Sequence, residues 1–445
     1  MRRLAPIATL AITCSAAAKP PPVHHLHGAG ACLAIEKTSG CARARGFTNP
    51  LSGRDVALST DGRSMYLAGV NTNAFGIVRV NPTNGRVVQE PGAAGCVAEH
   101  AKGREFRGCA TARGLAGQVN GVAVSSDGRS VYVVSEGPES VPPRSRADAI
   151  AVFARDASGR LTQIPGAAGC FSSARLDNCT VVPGLGADDV SVDGSGTRVF
   201  LGGTTLTVFA RSAVDGSLAR LGCEAPGGAD GCGATPFGLE IEAPLWIGNT
   251  GYARGIRRIS GTGLDSVQAI VALDDSDAPA ALPGAGACRT AQKLTGCRRD
   301  KRLGGYLAFS AATPSELDVV STPQSYDVPP SSDTPFSVAS IPLGTDGALT
   351  PGGHCLSTTK RSGCTRSKAV LSAGAVGGNA RRLFVAADTR LLVIQRDPAG
   401  KLRSLGSVRM DEGTNVAVPS TDGRFVYVVS SLFYGTGRVD VFAVN

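Results

Sequence analysis

The chain reads as an all-β, seven-bladed β-propeller with little or no helix, its ring closed by a strand from its own N-terminus. Three observations predict this. A strand-turn-strand unit recurs seven times. Glycine (58) and proline (26) are abundant, and no long window carries a 3.6-residue apolar stripe. The last copy stops one strand short of a full unit, and the N-terminus supplies a matching segment.

The clearest copy spans residues 121–170. Val122 to Ser125 alternates in polarity, Ser130 to Ser135 is β-branched and aromatic, Ala149 to Ala154 is apolar, and Leu161 to Ile164 closes the unit. Asp127-Gly128 is a two-residue hairpin signal and Asp156 to Gly159 makes a second turn. The unit recurs as DVALSTDGRSMYLAGV from 55, DVSVDGSGTRVFLGGT from 189 and NVAVPSTDGRFVYVVS from 415, with degraded copies near Phe237, Tyr306 and Ala373. Its third strand returns as AVFARD, TVFARS, LVIQRD and DVFAVN. Because the final copy ends at Asn445 just after that strand, Val23 to Cys32 is expected to pair with Gly437 to Val444 and remove an exposed edge.

Residues 1–18 have two arginines, an apolar run and small residues at Ala16 and Ala18, the layout of a secretory signal. Residues 19–445 then form one propeller domain, secreted or held in the cell envelope, with no membrane span and expected as a monomer. Cys14 raises lipid anchoring as an alternative, although Thr13 before it is large for such processing. The other twelve cysteines fall in local pairs: Cys32 with Cys41, Cys96 with Cys109, Cys170 with Cys179, Cys223 with Cys232, Cys288 with Cys297 and Cys355 with Cys364. Five pairs share one spacing, no C-x-x-C occurs and only 5 histidines are present, so zinc is a poor fit and disulfides a good one. Each would close a short loop worth roughly 2 to 3 kcal/mol.

The repeat DGRSVYVVS, followed by VAVF-RD and a Cys-Cys loop, resembles exported bacterial seven-bladed propellers of the lactonase-like, YVTN-repeat kind. The resemblance implies the fold directly and, through relatives with channel-lining His, Glu and Arg, a lactone-hydrolase activity. His24, His25, His27, His100 and His354 all lie outside the expected inner strands, which weighs against that chemistry here.

Two candidate sites follow. Arg54, Asp55, Asn120, Asp188, Asp189 and Asn415, with Thr414, start the inner strands and are expected at the channel mouth, where they could hold calcium or simply cap strand ends. The Asp-Gly pairs at Asp61, Asp127 and Asp422 are read as turn chemistry, and Asp274, Asp275 and Asp277 as a solvated turn. The second site is electrostatic. The segments from each pair's first cysteine to the next inner strand hold 19 Lys and Arg against 8 Asp and Glu, a net +11 where the whole chain is +9, leaving −2 elsewhere. The charge is densest at Arg298, Arg299, Lys301, Arg302, Lys360, Arg361, Arg366 and Lys368. It is expected on one upper face beside the insertions 138–147 and 323–335, binding an anionic polysaccharide or envelope polymer, or a protein partner. Nucleic acid is disfavoured because no aromatic stacking platform accompanies the charge. The alternative is a lactonase-like hydrolase, metal-assisted or not, at the channel mouth.

Overall fold

The computed structural model describes residues 21–47, 55–69, 72–99, 106–115, 117–137, 147–176, 178–258, 266–322, 336–367, 375–387, 389–410, 413–430 and 437–445. The segment 1–18 expected as a secretory signal, Arg54, His100, Lys368, residues 138–146 of the first insertion and all of 323–335 lie outside them. Seven sheets, antiparallel from the innermost strand through the fourth, form the blades of a propeller. Among the described residues helix is limited to short 3-10 turns, the longest Pro226–Gly231.

Blade two shows the plan. Its inner strand Gln118–Val124 pairs with Ser130–Glu136, which pairs with Ala149–Arg155. The apolar runs carry no polar face because each blade is covered on both sides. Along the second strand of blade one, Met65 and Leu67 pack toward blade seven while Tyr66 and Ala68 pack toward blade two, as the two-residue period requires. Each of the seven blade interfaces has its own apolar cluster, several built around aromatic pairs such as Phe75 with Phe153 at 5.5 Å and Phe200 with Trp246 at 4.7 Å.

The ring closes as expected. Val23–His25 and Cys32–Ala34 both pair antiparallel with Arg438–Val444, in the register Val23↔Val444 and Cys32↔Asp440. The closing strand is thus in two pieces, and the fourth strand of blade two divides likewise. Leu161–Gln163 and Cys170–Ser172 both pair with Ala149–Arg155, separated by the 3-10 turn Gly166–Gly169. This corrects the single strand expected at 161–164.

All six local cysteine pairs are disulfides, as their spacing led us to expect. Cys32 is bonded to Cys41, Cys96 to Cys109, Cys170 to Cys179, Cys223 to Cys232, Cys288 to Cys297 and Cys355 to Cys364. Their role was not legible beforehand. In every disulfide-bearing blade the chain doubles back after the fourth strand and adds a two-residue fifth strand parallel to it: Ala42–Arg43, Ala110–Thr111, Thr180–Val181, Gly233–Ala234, Arg298–Arg299 and Thr365–Arg366. The second cysteine of each pair, Cys41, Cys109, Cys179, Cys232, Cys297 or Cys364, immediately precedes that fifth strand, whereas the first lies in the fourth. Parallel neighbours ordinarily need a crossover of a dozen or more residues. Here the disulfide clips the short reversal. Blade six, without cysteines, has four strands among the described residues.

On the lower face, where the inner strands end, neighbouring blades are latched by a repeated side-chain set. Arg155 of blade two donates from Nε to Tyr66 Oη of blade one at 2.8 Å and pairs with Asp61 at 2.9 Å. Arg211 of blade three does the same to Tyr132 at 3.0 Å and Asp127 at 2.8 Å. Each tyrosine hydroxyl also donates to a turn carbonyl of the next blade, Gly159 or Gly216. Those turns admit only glycine. Both have positive φ, and a Cβ would lie 2.0 Å from Ser64 Oγ and 2.2 Å from Ser130 Oγ. Between blades five and six, Asp318 takes the tyrosine position and pairs directly with Arg396.

Partial burial opposes ionisation of Asp127, but the Ser125 hydroxyl, the Arg129 N–H and the Arg211 guanidinium outweigh it and hold the carboxyl at about 2, below the usual 3.8. A depressed carboxylate pKa contributes stability that is present above pH 3.8 and lost as pH falls through about 2. Asp127→Asn should therefore lower the melting temperature at neutral pH and flatten its decline across that acid window. Thermal melts of both proteins against pH measure this, and parallel curves would count against the latch.

Candidate functional site

The described residues expected at the channel mouth are buried or half-buried, and three of them have side-chain hydrogen bonds to nearby protein groups. Asp55 and Asp189 are buried, and Asp189 Oδ1 accepts the Ala243 N–H of the next blade at 2.7 Å. Asn120 is half-buried and donates to Glu136 Oε2 at 2.7 Å. Thr414 Oγ1 accepts the Ala387 N–H and donates to the Arg390 carbonyl. Asp188 and Asn415 are half-buried. Among the described residues no three His, Cys, Asp or Glu side chains gather into a cluster that could hold a metal ion.

One polar cluster between blades four and five was missed from the sequence. Arg254, on the second strand of blade four, donates to Glu242 Oε1 at 2.7 Å and to the Leu307 carbonyl at 3.1 Å, and lies 4.4 Å over the Tyr306 ring. Burial works against its charge, yet Glu242 and Tyr306 raise its pKa further above the ordinary arginine value. The inner strand here is broken into Glu240–Ile241 and Leu245–Ile247, so the repeat pattern gave no position from which to read it. Two of the histidines sit on the closing strand. His25 Nε2 lies 2.8 Å from Asp440 Oδ1, which also accepts from Arg438 at 2.7 Å, and His24 Nδ1 lies 2.9 Å from Asn445.

The loop cations divide into two populations. The inward group staples blades together at the outer edge. Arg45 donates to the carbonyls of Arg107, Glu90 and Gly92 in blade one, and Arg113 to those of Asn178 and Gly166 in blade two. Gln89 and Gln163 grip the same two loops, each bridging the arginine's own backbone N–H and carbonyl. Arg302, expected as a surface anion ligand, belongs to this group. It is buried, pairs with Asp300 at 2.6 Å beside Arg289, and reaches the Gly352 carbonyl of blade five.

The outward group is exposed: Lys293, Arg298, Arg299 and Lys301 on blade four, Lys360 and Arg366 on blade five. Half-buried Arg361 donates to the Lys301 carbonyl, which joins the two patches. These residues lie on the outermost strands and their loops, so the charge lies along the perimeter of blades four and five. Neither segment, 288–302 nor 355–367, exposes a carboxylate.

No protein-family model matches the chain, and no curated protein matches it. Solved structures do. The periplasmic gluconolactonase PpgL of Pseudomonas aeruginosa aligns over 82% of this chain and 89% of its own at 17% identity, TM-score 0.47. A protein from Lactobacillus plantarum aligns over 86% and 92% at 14% identity, TM-score 0.48. The Cps50 (Swd1) β-propeller domain of Myceliophteria thermophila aligns over 90% and 99% at 10% identity, TM-score 0.50. At such identities the likeness is one of fold.

The division of cations has a direct test. Arg302→Ser should cost about 2 kcal/mol or more in denaturant unfolding, because it leaves Asp300 short of a partner and frees two blades from each other. Arg298→Ser should stay within about 0.5 kcal/mol, as exposed substitutions do. Equal losses would refute the division.

Proposed function

We propose that this chain is an exported propeller acting as a binding scaffold, holding an anionic polymer such as an acidic envelope polysaccharide or a polyphosphate against the outer rim of blades four and five. The observation that carries this is the run of exposed cations Lys293, Arg298, Arg299, Lys301, Lys360 and Arg366 with no exposed carboxylate in either segment. A field of one sign attracts a polyanion through summed weak contacts and needs no pocket. Six disulfides suit the oxidising compartment in which such a polymer would be met. A lactonase-like hydrolase is the second reading, and the Glu242, Arg254 and Tyr306 cluster is its nearest candidate site. Hydrolysis of a gluconolactone that Arg254→Ala abolishes would establish it.

The rim reading is tested on a polyphosphate or heparin matrix. Replacing Arg298, Arg299, Lys301 and Lys360 together by serine should strongly reduce retention at low salt, whereas replacing Arg63, Arg129, Arg160 and Arg424 of the lower-face turns should reduce it little. At about 1 M salt the screening length falls to about 3 Å and the difference should vanish. Equal retention of the two variants at low salt would overturn the reading.

A further inference from the structure

Blade six departs from the other blades at one place. Its fourth strand, Leu402–Arg409, pairs with Arg390–Arg396 and, among the described residues, with no strand beyond it. In the six other blades the equivalent edge is filled by the fifth strand, and one bond recurs in all of them. The carbonyl of Ala34, Ala98, Ser172, Ala225, Thr290 or Ser357 accepts an N–H two residues into or just past the fifth strand, at 2.7 to 3.0 Å. The register identifies its counterpart. Arg390↔Arg409 corresponds to Ala149↔Ser172, and Met410 N–H donates to Thr389 as Ser173 N–H donates to Asp148. The outward carbonyl of blade six is therefore that of Arg409, and the backbone of Ser407, two residues earlier, faces the same way. Among the described residues no backbone donor reaches the Arg409 carbonyl.

Blade six also lacks the glutamine with which blades one and two grip their neighbours. Ser404 stands where Gln163 stands in blade two, as its pairing with Ile394 against that of Gln163 with Phe153 shows. A cleft of about 580 Å3 opens instead between blades five and six, lined in part by Leu356, Leu402, Arg366, Lys401 and Arg403. The three cations are exposed, and so is Arg409 at the end of the strand. The one carboxylate in the lining, Asp397, accepts the N–H groups of Ala399 and Lys401 within its own turn.

We propose that the outer edge of blade six is a docking site for an extended acidic peptide of a partner protein, added as the fifth strand that the other blades supply from their own chain. Backbone pairing along Ser407 to Arg409 would provide the bonds, and Lys401, Arg403 and Arg409 would select carboxylate side chains. Charge argues against a second copy of this chain as the occupant, since two such edges would bring Arg403 and Arg409 against one another. The inference does not rest on the polymer reading; Arg366 borders both surfaces, but the cations that select the peptide, Lys401, Arg403 and Arg409, belong to blade six alone.

The test is fluorescence anisotropy on the disulfide-intact protein, with a labelled peptide of alternating glutamate and valine. Methylating the peptide's backbone nitrogens should weaken binding about tenfold or more, because the added strand loses its donors. Ser407→Pro should weaken it about tenfold with an unchanged melting temperature, since its N–H points away from the ladder. Arg403→Glu with Arg409→Glu should lose the acidic peptide and gain a lysine-valine one, which keeps the test decisive if the proline variant fails to fold. Serine at Arg298, Arg299 and Lys301 should leave peptide binding intact. Binding that ignores peptide methylation, or that survives both edge variants, would overturn the proposal. So would a dimer that Ser407→Pro dissolves, which would make a second copy the occupant.

Discussion

The pairing of Val23–His25 and Cys32–Ala34 with Arg438–Val444 is the constraint on which the rest of the ring depends. Every blade here is apolar on both faces, so no blade can be terminal without exposing a core. The first and last segments must meet, and they do so inside one sheet rather than between two. Val23 fills the cluster between blades six and seven, while Leu33 fills the one between blades seven and one. The closing segment thus seals an edge and completes two cores.

Once the ring is closed, the remaining polar side chains are used mainly to fix blade against blade. The Tyr–Arg–Asp sets hold the lower face, and the Gln and Arg staples hold the outer edge. This explains why arginine, with a fork of donors that serves several carbonyls at once, recurs in loops that look merely solvent-facing. Local features were legible in the sequence because their causes are local: strand alternation, Asp-Gly turns, the Cys spacing and the truncated last repeat. The two-residue fifth strands were not, since Thr180–Val181 or Arg298–Arg299 is too short to show a period. Their one available signal was the second cysteine itself, since Cys179 and Cys297 stand directly before those two strands. Nor could Arg302 be told from Arg298. Both sit in one basic run, and only the position of Asp300 and of blade five's Gly352 carbonyl turns one inward. The latch was not read from the sequence, although Arg155 and Arg211 stand in the repeated AVFARD and TVFARS motifs and Tyr66 and Tyr132 recur one blade earlier, a signal that could have found it.

Function in a repeat protein is best sought where the repeat is broken. Blades four and five break it by crowding uncompensated cations onto adjoining outer strands. Blade six breaks it by omitting both the disulfide and the fifth strand. The two omissions together leave backbone hydrogen-bonding groups at a surface that the other blades cover. Those groups are a liability for aggregation unless charge protects them or a partner uses them.

The chain closes its own ring, and among the described residues the fourth strand of blade six has no fifth strand beside it. Amide hydrogen exchange tests both halves at once. The amides of Leu26, Ile35 and Val441, bonded across the closure to Val441, Gly437 and Ala31, should exchange as slowly as those inside blade two. The amides of Ser407 and Arg409 should exchange quickly. Fast exchange at Leu26, Ile35 and Val441, or strong protection at Ser407 and Arg409 in the isolated protein, would contradict the account.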